Sequence, residues 1–299
     1  MALKRFLMIS FVAMLVACGD DDSSDFATRP SGDSSSACED CDDSSSSKAK
    51  SSDSETSVSS SSSAKSSSSS GDTQSVVDPS TVVMGTMTDE RDGQTYKTVK
   101  IGSQTWMAEN LNYAYTNVPY NFSSYLSDST SWCFRNNPDS CAKYGRLYTW
   151  AAAMDSVGEW STNGKGCGYR STCTPTYPVR GICPERWHLP EKAEFVKLFD
   201  AVGGQSTAAK MLKSSSGWKE NKGESGNGTD AYSFAALPAG NRNQQGDFKG
   251  VSEYADFWSA TDYEGTTAEL MNLFNNRDDG MLSYGFNNFG MSVRCVRDE

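Results

Sequence analysis

From Ser44 to Ser70, 18 of 27 residues are serine, with only Ala, Lys, Asp, Glu, Thr and Val between them. No apolar face can be assembled from such a run at helical or strand spacing, so nothing offsets the entropy of ordering it. The run divides the chain. What folds around a core must lie on its C-terminal side, over residues 81–299, and residues 18–80 read as a flexible tether. Roughly 60 residues of such coil have an r.m.s. span of about 40–45 Å, enough to hold a domain clear of a surface layer.

The other end of the tether explains what it is tied to. Lys4 and Arg5 open the chain, and Phe6 to Val16 is a mostly apolar stretch too short to span a bilayer as a helix. It leads into Leu15-Val16-Ala17-Cys18, which resembles the lipobox of bacterial lipoproteins. The resemblance implies a signal peptide over residues 1–17 and diacylation of Cys18 as the new N-terminus. Two acyl chains anchor stably where one is marginal. Gly19-Asp20-Asp21-Asp22 and the acids after it resemble the surface-export signal of Bacteroidota-type lipoproteins. That implies an outer-membrane lipid anchor with the domain facing the cell exterior.

Nine cysteines become eight if Cys18 is lipidated. An even number in an exported chain fits an oxidising compartment. Cys133 with Cys141 and Cys167 with Cys173 are close pairs in polar loops, and Cys38 with Cys41 is a pair within the tether. By elimination Cys183 is left for Cys295, although other connectivities remain open. Clustered zinc ligation is disfavoured, because no CxxC faces another and the chain has one histidine.

Residues 81–299 are long enough for one large domain and hold 21 of the 27 basic and 25 of the 38 acidic residues. The acidity therefore sits mainly in the tether, and no basic stripe supports nucleic-acid binding. Asp92-Gly93 reads as a hairpin turn between strands, with Tyr96 to Ile101 alternating at strand spacing. Asp89, Glu90 and Asp92 fit that turn better than a calcium loop. Helical spacing covers Lys143–Met154, a helix opened by Pro190 and closed by Gly203-Gly204, and a short helix capped by Ser206. Strands are expected at Tyr232–Leu237, Phe257–Ala260, Glu269–Asn275, Met281–Phe286 and Met291–Val296. The pattern is α+β.

Several stretches together resemble the Fibrobacter succinogenes major paralogous domain: "RDGQTYKTVKIGSQTWMAENLNY", "WCFRNNPDSCAKYGRLYTWAAAMD", "GICPERWHLP", "FAALPAGNRN", "FWSAT" and "GMSVRCVRD". The family is exported, and the resemblance implies a lipoprotein of a fibre-degrading bacterium or a relative. A looser similarity is to formylglycine-generating-enzyme domains, whose "RLPTEAEW" and "GFRCV" are like "WHLPEKAEF" and "SVRCV" here. It implies a C-type-lectin-like core with two or three short helices, in which Tyr96–Ile101 pairs with Met291–Arg297. The enzyme's redox cysteine pair has no counterpart, since Cys295 stands alone. The calcium-binding motifs of sugar-binding lectins are absent as well.

No hydrolase, nucleotide or dinucleotide motif occurs, and no cofactor is implied. The carboxylate pairs of glycosidases are set in space, but Asp92, Asp230, Asp247, Asp262, Asp278 and Asp279 fall mostly at turn signals. His188, between Trp187 and Leu189, reads as a packing residue without a nucleophile beside it. Trp106, Trp150, Trp187 and Trp258 read as core. Trp132, Trp160 and Trp218 lie in loop-like surroundings and are the candidates for glycan contact. The expected function is a non-catalytic module displayed at the cell surface, binding plant-cell-wall glycan or another envelope component. The alternative is an assembly protein of the outer envelope with protein partners. Anchoring is expected to depend on Cys18: labelled palmitate should enter the wild type and not Cys18→Ala, and an unlabelled wild type would end the lipoprotein reading.

Overall fold

The computed structural model describes residues 75–115 and 131–299. The strands in chain order are β1 Val83–Thr88, β2 Thr95–Ile101, β3 Gln104–Met107, β4 Ser131–Trp132, β5 Leu147–Tyr148, β6 Trp187–His188, β7 Asn241–Arg242, β8 Phe248–Lys249, β9 Tyr254–Tyr263, β10 Thr267–Phe274, β11 Met281–Phe286 and β12 Val296–Arg297. The helices are α1 Pro138–Tyr144, α2 Trp150–Ala153, α3 Lys192–Ala201 and α4 Gln205–Leu212. The architecture is α+β: one antiparallel sheet in the order β1-β2-β3-β12-β6, a second in the order β11-β10-β9, and two short ribbons, β4-β5 and β7-β8.

The hairpin at Asp92-Gly93 forms, with Val83 facing Lys100 and Thr88 facing Thr95. The last strand, however, does not pair with Tyr96–Ile101. Gly102-Ser103 turns β2 straight back into β3, so β2 has β1 on one edge and β3 on the other. β12 therefore enters between β3 and β6, with Val296 facing both Trp106 and His188.

The helix expected over Lys143–Met154 is broken in two. Gly145 ends α1 with φ 72°, and a Cβ there would meet Asn110 Cβ at 2.7 Å and the Leu111 carbonyl at 2.8 Å. Only glycine allows both the turn and the close approach. The chain then forms β5 before Thr149 caps α2 through the Ala152 amide. α3 begins one turn-defining residue after Pro190: the Glu191 and Glu194 side chains form a reciprocal capping box. Gly204, not Ser206, precedes α4 as its cap.

Tyr96, Met107, Tyr148, Trp150 and Trp258 share one core cluster with the buried Cys183 and Cys295. Val99, Ile101 and Trp106 share another with Phe195 and Leu198 of α3. Trp106 stacks on Phe195 at 5.6 Å between ring centroids. The described disulfides are Cys133–Cys141, Cys167–Cys173 and Cys183–Cys295, the last with a sequence separation of 112. In the chain-entropy view a loop of that length contributes up to about 5 kcal/mol. Cys18, Cys38 and Cys41 lie outside the described residues.

Tyr232–Leu237 is not a strand. Ser233 and Ala235 have φ of 55° and 50°, and the kinked backbone turns its carbonyls toward Arg294. Arg294 is fully buried. It donates to the carbonyls of Phe234 and Ala235 and to Asn110 Oδ1, and lies over the Phe234 ring at 4.4 Å. Burial pushes its pKa down to about 9, so it remains a cation at neutral pH, offset slightly by Asp230 and Glu109. Arg294→Met should lower stability by about 3 kcal/mol or more in a urea melt, because it leaves several buried acceptors without donors. A change below about 1 kcal/mol would mean that those carbonyls find other partners.

Candidate functional site

The three tryptophans singled out from the sequence have three different fates. Trp218 is in the core, 5 % exposed, with Nε1 donating to Ser214 Oγ and the Ala236 carbonyl. Its Gly- and Ser-rich surroundings are a loop that folds back over it, so its ring is not open to a ligand. Trp132 is half-buried under Arg242, whose guanidinium lies 4.1 Å from the ring centroid. Gly290 abuts the same ring, where a Cβ would come within 3.2 Å of Cε3. Trp160 is half-buried and lines a pocket.

That pocket is built from three segments. The first is the β1–β2 turn, whose Asp89 is 1 % exposed and accepts from Arg91 Nε at 2.8 Å and Nη2 at 2.7 Å. The pairing uses both oxygens of Asp89, which removes it as a cation ligand and pins Arg91. The second is the loop after α2. The fully buried Asp155 turns the chain there with φ 52° and accepts from Tyr115 Oη at 2.8 Å. It also accepts from the backbone amides of Glu159, Trp160 and Ser161 at 3.0, 2.6 and 2.9 Å. One carboxylate thus gathers the loop and presents Trp160. The third segment is the corner before β6, "RGICPER", whose Arg180 donates from Nη1 to the Trp160 carbonyl at 3.0 Å and from Nε to the Cys183 carbonyl at 3.2 Å.

Trp160 is the aromatic residue of the lining; behind it Tyr113 stands edge-on at 5.7 Å, with the Arg91 guanidinium 4.0 Å from the Tyr113 centroid and 5.1 Å from that of Trp160. Glu90, Glu185 and Arg186 are exposed at the rim. The pocket is open on one side, and its volume is about 590 Å³, within the range of small-ligand sites. A flat ring beside both cationic and anionic groups suits a polyhydroxylated ligand, which presents apolar C–H faces and hydroxyls that donate and accept. Among the described residues no group of three His, Cys, Asp or Glu side chains is placed to hold a metal ion.

Arg91, Arg180, Arg186 and Asp155 are absent from the candidates read from the sequence. Only "DERDG" carried a local signal, that of a turn. The convergence of segments about 70 and 90 residues apart has no signature in spacing.

His188 does more than pack. It is 7 % exposed in β6, and its ring is held between two carboxylates. Nδ1 lies 2.8 Å from Asp298 Oδ1, and Nε2 lies 3.0 Å from Glu194 Oε1 and 3.1 Å from Oε2. Burial lowers its pKa, but the Glu194 and Asp298 carboxylates together outweigh that and raise it above 6.5. When protonated, the ring clamps α3 and the C-terminal residues to one sheet. A folded pKa above the unfolded one means that the contribution is complete below about pH 6.5 and is lost as pH rises through the folded value. The difference in melting temperature between wild type and His188→Gln should therefore be larger at about pH 6 than at about pH 9. An equal difference at both would mean that the ring is neutral throughout.

No curated protein and no solved structure matches the chain. The Fibrobacter succinogenes major domain matches residues 99–297, from the middle of β2 to the end of β12. The match takes in the Trp160 loop, the "RGICPER" corner and both cysteines of the long-range disulfide, and covers well over half of the chain. The chain therefore belongs to the Fibrobacter succinogenes major domain family.

Proposed function

We propose that this is an outer-membrane lipoprotein that displays a non-catalytic binding module to the cell exterior, with a plant-cell-wall glycan or another envelope component as ligand. The observation that carries the ligand reading is the Trp160 pocket: an aromatic wall, fixed guanidinium groups and rim carboxylates around about 590 Å³. Support for the location comes from the Lys4 to Cys18 segment and the acidic run after it. A non-catalytic role is favoured because His188 has both ring nitrogens engaged by carboxylates. Asp155 likewise holds backbone amides and Tyr115. Neither is free to move a proton to a ligand. A C-type-lectin-like arrangement is part of the same proposal. It is supported by the late strand β12 entering the main sheet beside β3, near the start of the domain.

A second reading, assembly with an envelope protein, draws on one feature. β11 is an edge strand, and its Tyr284 and Phe286 are 58 % and 45 % exposed. Such an edge can accept a strand from a partner. Pull-down of the oxidised, detergent-solubilised chain on insoluble cellulose and xylan separates the readings. Retention is expected on at least one of them, with affinity reduced about tenfold or more by Trp160→Ala, the loss of one good aromatic contact. No retention on any polysaccharide would overturn the glycan reading.

A further inference from the structure

Resting on the reading of the Trp160 pocket as a glycan site, we propose that its ligand is an acidic glycan, a polymer bearing uronate carboxylates, in preference to a neutral one. Among the described residues, two donors on residues that line the pocket, Arg91 Nη1 and Trp160 Nε1, are buried and have no hydrogen-bond partner. The Arg91 side chain is 7 % exposed, and Asp89 takes only its Nε and Nη2. Buried donors left unpaired are costly, and both call for the same kind of partner, an oxygen that accepts. Both atoms are closed to solvent in this conformation, so an acceptor oxygen of a ligand reaches either one only after its side chain moves.

The positive groups at the pocket point the same way. Arg180 is half-buried and pinned by its bonds to the Trp160 and Cys183 carbonyls, both neutral acceptors, and forms no ion pair with a described residue. The direction of its guanidinium beside the pocket is already set, which lowers the ordering cost of a contact to a carboxylate. Arg186, across the corner, is exposed and also outside any ion pair among the described residues. The rim acids Glu90 and Glu185 are exposed, and among the described residues no hydrogen bond of their side chains holds them over the pocket. The whole chain carries a net charge of −11, so a polyanion finds no general attraction to it, and binding of one requires a local site.

The test uses the oxidised, detergent-solubilised full chain and insoluble matrices of de-esterified polygalacturonate, glucuronoxylan, unsubstituted xylan and cellulose. Retention on the two acidic matrices should exceed that on the neutral ones by about tenfold or more, and should fall as salt rises. Arg180→Gln and Arg186→Gln should each reduce binding to the acidic matrices several-fold. An unchanged melting temperature in Arg186→Gln, whose side chain is exposed, separates loss of contact from loss of fold. Equal retention on neutral and acidic matrices would overturn the acidic preference and leave the glycan reading standing. Retention on none of the four would overturn both. Retention on acidic matrices that neither arginine substitution alters would also overturn the proposal, because the carboxylates would then be bound elsewhere.

Discussion

The guanidinium of Arg294 is the charge around which the domain closes. A cation without a carboxylate at contact distance is expensive to bury, and it survives here only because backbone carbonyls and an amide oxygen surround it. Those acceptors come from places far apart in the chain, Asn110 after β3 and the Phe234-Ala235 kink before β7. Phe234 and Phe257 add aromatic faces. The arrangement sets the path of all three segments, because moving any of them strips a partner from a fully buried charge.

The neighbours of Arg294 repeat the pattern. Met291 exchanges backbone hydrogen bonds with Tyr148, and Val293 and Cys295 accept from Leu111 and Met107. Cys295 carries the disulfide to Cys183, Val296 sits between β3 and β6, and Asp298 reaches His188. The eight residues 291–298 thus bond to β3, β5, β6, the segment after β3 and the corner before β6. The Asp298 amide also donates to the Arg186 carbonyl, which ties the C-terminus directly to the corner that lines the pocket. The corner carrying Arg180 and Arg186 is thus held from two sides, by the Cys183–Cys295 bridge to the last strand and by the bond of the Ile182 amide to the Ala153 carbonyl.

Within that frame the pocket is preorganised. Asp155, not a loop disulfide, shapes the Trp160 loop, and the Asp89–Arg91 pair shapes the turn facing it. Both carboxylates are buried and fully used in holding structure. The groups of the pocket that these two pairings leave unused are the Trp160 ring, the guanidinium groups of Arg180 and Arg186, and the rim carboxylates of Glu90 and Glu185.

Much of the organisation was legible in the residues alone. The serine-rich run, residues 44–70, lies outside the described residues, and its reading as a tether rests on composition alone. The hairpin at Asp92-Gly93, the end of α3 at Gly203-Gly204, and β11 follow from local turn chemistry and period. The two short-range disulfides among the described residues follow from proximity, and Cys183–Cys295 from elimination. Local pattern failed where distant atoms decided. Lys143–Met154 has helical spacing, but the approach of Asn110 to Gly145 breaks it. Tyr232–Leu237 has strand composition, but Arg294 draws its carbonyls out of register. Trp132, Trp160 and Trp218 look alike in sequence. Arg242 over one, Ser214 and Ala236 bonded to another, and a pocket beside the third separate them. Spacing along a chain encodes only contacts within a few residues. The burial of Arg294, the clamp on His188 and the pocket at Trp160 all join segments scores of residues apart, and only the folded chain decides those.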